Sequence, residues 1–276
     1  MWQHDYHSLV SDILAKKDIR STRAGNTKSI FCSALIIPAE EFPILESRKI
    51  FYSGVVGELA AMLRGANTVQ EFKDLGCHYW DSWGDSEGKL ELDYGTAWRD
   101  FNGVDQLKEL VEGLKHDPYG RRHIITGWRP DRLAKLSLPC CHLLYQWYVD
   151  CDGCLHMSWY QRSVDVMVGM PSDILFAYIW NMLIAKTVGL KHGSVTMFFG
   201  DTHIYENHFE QAKLLLNQFK VRYKEPSTNI SYTFHSKSSY ARVNLSDDAT
   251  VFNFTPDMVT VENYNPSAAI KFKLNV

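Results

Sequence analysis

The sequence predicts an α+β protein, and three observations carry that prediction. Segments with helical periodicity and segments with strand-like alternation both occur, but they do not succeed one another as βαβ units. No glycine-rich phosphate loop follows a strand-like run. No repeat, low-complexity tract or Pro/Gly/Ser linker interrupts the 276 residues, so a single domain over 1–276 is the economical reading.

Helices are expected around 5–16, 51–64, 105–116, 171–189 and 204–218. The stretch Asp173–Val188 is apolar nearly all round and should be a buried central helix. Strands are expected around 29–37, 122–128, 142–150, 155–163 and 193–200, with short ones near 229–234, 250–254 and 259–263. The pair Asp152-Gly153 between two strand-like runs is a hairpin-turn signal.

Hydrophobic residues make up 45% and charged residues 22%, as in soluble globular proteins. A formal net charge of −3 leaves no basic excess for a nucleic-acid backbone, though it permits a few arginines aimed at one phosphate. No apolar run approaches the ~20 residues that span a bilayer. The N-terminal MWQHDYHSLVSDILAKK carries early charges; Leu9, Val10, Ile13 and Leu14 fit one face of an amphipathic helix rather than a signal peptide. A cytoplasmic protein with reduced cysteines is expected, and neither membrane nor nucleic acid is an expected partner.

The cysteines are Cys32, Cys77, Cys140, Cys141, Cys151 and Cys154. Cys151-Asp-Gly-Cys154 has the C-x-x-C form, but a structural zinc site needs two further ligands at motif spacing and none is evident, so no metal is expected. Cys141 stands out through its company. It lies in Leu138-Pro-Cys-Cys-His142, and a hairpin turning at Asp152-Gly153 would bring Tyr160-Gln-Arg-Ser-Val-Asp165 back beside it. Arg162 would then lie near the sulfur, where positive charge favours the thiolate.

These two motifs, with Gly169-Met-Pro-Ser-Asp173, Gly200-Asp-Thr-His-Ile-Tyr-Glu-Asn-His208, Gly120-Arg-Arg122 with Trp128, Trp80-Asp-Ser-Trp83, Tyr94-Gly-Thr-Ala-Trp-Arg99, and Glu58 ahead of Leu63-Arg-Gly65, occur in the order and approximate spacing of thymidylate synthases. The chain resembles that family over nearly its whole length, least at 220–250. The resemblance implies the thymidylate-synthase fold, a large mixed β-sheet packed by helices, in a homodimer with shared active sites. It also implies two substrates, a pyrimidine nucleoside monophosphate and 5,10-methylenetetrahydrofolate.

By the same resemblance, the Cys141 thiolate adds to the pyrimidine C6 and makes C5 nucleophilic. Glu58 matches the carboxylate that organises proton transfer, and Tyr94 the residue associated with removing the C5 proton. Arg162 and Ser163 match phosphate contacts from the same chain, and Arg121 and Arg122 those lent by the partner. A further arginine should come from the early loop: Arg23, with Arg20 as the alternative. His203 and Tyr205 match contacts to the sugar 3′-hydroxyl. On the folate side, Trp80, Trp83 and Asp165 match the pterin site, Arg48 falls where the family places a lysine near the glutamate tail, and Val276 ends the closing tail.

One departure concerns the base. Where thymidylate synthases carry an asparagine that reads uracil, this chain has Asp173. A carboxyl group suits cytosine, accepting from the C4 amino group and sharing a proton with N3. That resembles the deoxycytidylate hydroxymethylase branch. A plain reading of Asp173, as a cap of the following helix, is compatible with base recognition. The tail Tyr264-Asn-Pro-Ser-Ala-Ala-Ile-Lys271 and Asn275 also depart from the family pattern and favour quenching by water, giving a hydroxymethyl group, whereas Trp80 favours shielding and methylation. Methylation of dCMP or dUMP, CMP as substrate, and a non-catalytic nucleotide- or RNA-binding protein on this scaffold stay open.

Overall fold

The computed structural model describes residues 2–223 and 241–275. Its centre is a six-stranded sheet in the order β1-β2-β6-β5-β4-β3. The strands are β1 (Arg20–Thr22), β2 (Gly25–Ile37), β3 (Ile124–Thr126), β4 (His142–Val149), β5 (Cys154–Asp165) and β6 (Lys191–Tyr205). Only β5 and β6 pair in parallel; every other neighbour is antiparallel, so the sheet is mixed as expected. A separate antiparallel pair joins β7 (Arg242–Leu245) to β8 (Val259–Glu262).

The parallel β5–β6 pair needs a crossover, and α6 (Gly169–Val188) supplies it. This helix is the buried central element that the composition predicts: Ile174 to Asn181 is buried throughout. It ends at Gly189, which takes the left-handed conformation (φ 75°) that closes helices without a Cβ penalty. Trp180 stacks on Trp98 at 4.3 Å between ring centroids, tying α6 to α4 (Gly95–Arg99).

The helix α2 (Tyr52–Arg64) packs against α6 and carries Glu58. Gly57 lets it abut the chain at Leu75, whose carbonyl a Cβ would strike. The remaining helices are α1 (Trp2–Ala15), α3 (Val69–Asp74), α5 (Gln106–His116) and α7 (Phe209–Tyr223). α3, which periodicity does not reveal, is set by a capping box of Thr68 and Glu71.

The hairpin at Asp152-Gly153 forms as predicted. The Asp150 carboxylate accepts from the backbone N–H groups of Asp152 and Cys154, and Gly153 takes φ 74°. Cys151 is exposed, Cys154 half-buried, and both are free thiols.

Two expectations differ. Ile204 and Tyr205 extend β6 because they pair with β2, so the helix expected from 204 begins at Phe209, after a short turn Glu206–His208. The segment 250–254 is a turn held by the Asn253 side chain, which accepts from the Thr250 N–H and hydroxyl; Val251 and Phe254 are buried without strand pairing. The strand expected near 229–234 lies outside the described residues. β1, β7 and α4 were not evident in the sequence pattern.

Helices cover one face of the large sheet. The other presents a row of apolar side chains across four strands: Ala34, Phe198, Tyr160 and Leu144 are successive register partners, and the last three are 44%, 39% and 40% exposed. Phe31, Ile36 and Tyr148 extend this face. Among the described residues no helix is long and apolar enough to cross a membrane.

Candidate active site

Cys141 precedes β4, at the end of the long strand pair. The backbone N–H of Arg162 donates to its carbonyl at 2.9 Å. The Arg162 guanidinium, half-buried, donates to the carbonyls of Cys140 (2.7 Å) and Pro139 (3.0 Å) and lies over Trp128 at 5.7 Å. The hairpin therefore does what the sequence requires: it brings Arg162 to the cysteine loop. Burial nonetheless raises the Cys141 thiol above its ordinary pKa; the charge of Arg162 opposes this, Asp173 adds to the rise, and the Tyr94 hydroxyl lowers it. The expected effect of Arg162 holds in sign, but desolvation outweighs it.

Around the thiol the aromatic packing is dense. The Tyr94 hydroxyl accepts from the Cys141 N–H at 2.7 Å, and burial raises its own pKa well above the usual value. His142 lies against Tyr94 (4.4 Å between centroids), and its Nδ1 meets the Tyr145 hydroxyl. Trp80, 6% exposed, donates its indole N–H to Glu58 at 2.8 Å.

Two carboxyl groups face this centre from the helices. Burial raises the pKa of Glu58 to about 8, with the charge of Asp173 adding to it and the Trp80 bond opposing. Burial raises that of Asp173 to about 7, against the bond that it accepts from Gln161 (2.8 Å) and with the charge of Asp165 assisting. Asp173 does not cap α6. That helix starts after Val168 with no side-chain cap, and Asp173 lies a turn inside it, directed at β5.

Asp165 closes β5. Its Oδ1 accepts from the N–H groups of Met167 and Val168, and burial raises its pKa against the nearby His208 and those bonds. His203 Nδ1 meets Asp201 Oδ1 at 3.0 Å, and Tyr205 packs edge-on against His203. Burial raises the pKa of Tyr205, Asp165 and Cys141 add to the rise and Arg23 opposes it, which places all three in one electrostatic neighbourhood. Ser163 is half-buried beside Asp201 in the sheet register.

The early-loop alternatives separate. Arg20 pairs with Asp201 at 2.5 Å and with the Ser29 hydroxyl, whereas Arg23 is exposed with no ion pair among the described residues. Arg121 and Arg122 are exposed between α5 and β3, and within one chain nothing brings them to Cys141. Trp83 is half-buried in the turn after Trp80. Arg48 is buried: it donates to the Met167 carbonyl and lies over Phe272 at 4.7 Å, its Nε has no partner, and no carboxylate among the described residues is within ion-pair distance. Val276 lies outside the described residues.

The sequence profile of the thymidylate synthase family matches residues 4–276. The chain belongs to the thymidylate synthase family. The mixed sheet packed by helices is that fold, and the family chemistry is one-carbon transfer from methylenetetrahydrofolate to a pyrimidine nucleotide. Residues of this member fit a folate. Arg48 is a buried cation whose free Nε and missing counter-ion suit a carboxylate-bearing ligand. Among the described residues no group of three His, Cys, Asp or Glu side chains is arranged to hold a metal.

Gln161, Trp159, His142 and Tyr145 pack around these groups but carry no role in the sequence reading. A signal existed for Gln161: a polar residue at a core-facing position of a strand, 2% exposed, needs partners.

The raised carboxyls predict a pH dependence of stability. An acid whose folded pKa lies above its unfolded value of about 4 stabilises the fold fully below that value, and the contribution is lost as pH rises through the folded pKa. The melting temperature should fall between pH 5 and pH 8 to 9, the window set by about 7 for Asp173 and about 8 for Glu58. Differential scanning fluorimetry of Glu58→Gln should show a flatter profile across that window.

Proposed function

We propose that this enzyme transfers the one-carbon unit to C5 of a cytidine monophosphate nucleotide, most simply dCMP, and that water then completes a 5-hydroxymethyl group. The observation that carries the reading is Asp173, a desolvated carboxyl beside the nucleophile whose pKa of about 7 keeps a proton available near neutrality.

The chemistry assigned to the chain's own residues runs as follows. The Cys141 sulfur adds to C6, and electron density moves towards N3, where the Asp173 proton neutralises it. The charge of Arg162 favours the attacking thiolate, and its guanidinium, with Ser163 and Arg23, is assigned to the nucleotide phosphate. Folate held by Arg48, Trp80, Trp83 and Asp165 would supply a carbon at the oxidation level of formaldehyde and depart as tetrahydrofolate; water adds to the exocyclic methylene left on C5, and the Cys141 sulfur is expelled from C6. Glu58, largely protonated at pH 7, hands protons to and from the ring's 4-substituent. The C5 proton leaves to a water oriented by the Tyr94 hydroxyl, whose oxygen also accepts from the Cys141 N–H. His203 and Tyr205 hold the sugar 3′ side.

Water quenching is supported by the tail. Asn275 exchanges hydrogen bonds with Asn207 and lies against His208, which is 3.8 Å from Asp165, so a polar side chain lies at the site's edge. Methylation with release of dihydrofolate is the second reading, and the burial of Trp80 against Glu58 favours it.

The functional unit is a homodimer of single-domain subunits. The apolar sheet face through Phe198, Tyr160 and Leu144 is suited to a second copy of the chain, and pairing there would let Arg121 and Arg122 reach a neighbour's phosphate.

Incubation of purified protein with methylenetetrahydrofolate and dCMP, dUMP or CMP, read by mass, should give the hydroxymethyl product of dCMP without dihydrofolate absorbance. Cys141→Ala should abolish turnover. Asp173→Asn should move the dCMP/dUMP preference towards dUMP by about one to two orders of magnitude, the worth of a mismatched buried hydrogen bond of about 1–3 kcal/mol; an unchanged ratio sinks the base assignment. Light scattering should give twice the chain mass, and Phe198→Glu should yield inactive monomer. A monomeric wild type with full activity would contradict the shared site.

A further inference from the structure

A neutral carboxyl group is symmetric. With its proton on one oxygen it offers an acceptor and a donor in the order that suits the cytosine amino group and N3. With the proton on the other oxygen the order reverses and suits uracil O4 and N3–H. An aspartate alone therefore reads either base, and discrimination requires something that breaks the symmetry.

Gln161 does so. It is 2% exposed, on the helix-covered face of β5, and makes three hydrogen bonds. Its Oε1 accepts from the Trp159 indole N–H at 3.0 Å; its Nε2 donates to the Ser163 carbonyl at 3.2 Å and to Asp173 Oδ2 at 2.8 Å. Two of these partners have only one role: an indole N–H only donates, and a backbone carbonyl only accepts. Turning the amide over would set N–H against N–H and oxygen against oxygen, so its orientation follows from its partners. Asp173 Oδ2 consequently always meets a donor, and the carboxyl proton resides on Oδ1. Trp159 is fully buried, packed against His142 at 4.3 Å and Tyr145 at 4.9 Å, which holds the indole in place.

We propose that Trp159, acting through Gln161, fixes the hydrogen-bond polarity of Asp173 and is thereby a specificity-determining positioning residue for the pyrimidine base. This rests on the assignment of Asp173 to the base in the proposed function. For cytidylate it requires Oδ2 to face the C4 amino group and the Oδ1 proton to face N3.

The test is the ratio of kcat/KM for dCMP and dUMP, with the ratio of calorimetric Kd values as a second reading. Trp159→Phe keeps an aromatic ring and removes the N–H, leaving only the Ser163 carbonyl to oppose a turned amide. The ratio of the preferred to the disfavoured nucleotide should fall about tenfold or more towards one. An unchanged ratio in a variant that melts cooperatively overturns the proposal. Gln161→Glu, which does not depend on Trp159→Phe folding, sets two carboxyl groups to share one proton. The carboxyl limb of the pH profile of kcat/KM should move to higher pH, and an unmoved limb counts against the proposal. The two failures are distinguishable. A wild type that prefers dUMP refutes the cytidylate reading, while collapse or persistence of whichever preference exists still judges the lock.

Discussion

The site depends on one strand pairing. β4 and β5 must meet so that the Arg162 N–H reaches the Cys141 carbonyl, since the same registration sends the guanidinium onto the carbonyls of Pro139 and Cys140. Those charge-assisted bonds satisfy a loop that has no ladder of its own. They also hold a positive charge beside a thiol that burial would otherwise keep protonated. The register is set at the far end of the hairpin, by the Asp150 side chain and Gly153. A one-residue slip would exchange Gln161 for Arg162 on the helix-covered face and dismantle both halves of the site.

Opposite that charge lie groups that the fold keeps largely neutral. Glu58 and Asp173 come from α2 and α6, the two helices packed together over the sheet; both suffer desolvation, and the charge of Asp173 adds to the cost of ionising Glu58. A cleft with one fixed cation, one buried thiol and two acids poised near neutrality can exchange protons with a substrate at little reorganisation. The indole N–H of Trp80 and the amide of Gln161 oppose the rise and keep both acids within the physiological range.

Much of this was legible before any coordinates. The hairpin signal at Asp152-Gly153 correctly placed Arg162 at the cysteine loop, and the apolar run in α6 correctly placed it at the centre. The beginning of α7 was misplaced because Ile204 and Tyr205 have a helical pattern yet pair with β2, a tertiary preference that periodicity does not register. Val251 and Phe254 resemble strand residues but are buried from a turn. Asp173 was open to reading as a helix cap; its position a turn inside α6 only becomes evident once Val168 is seen to begin the helix. The hydrogen-bond chain from Trp159 through Gln161 to Asp173 is not legible in the sequence because it arises from mutual orientation. Arg121 and Arg122 are exposed between α5 and β3, and a phosphate role for them rests on the proposed dimer.

The most direct measurement is the pH dependence of Cys141 alkylation by iodoacetamide, followed by peptide mass mapping to separate it from the exposed Cys32 and Cys151. The account predicts that Arg162→Met moves the midpoint for Cys141 to higher pH and slows its alkylation at pH 8 by roughly tenfold, the effect of about one pKa unit, while Arg162→Lys restores most of the rate. Identical profiles for wild type and Arg162→Met would contradict it.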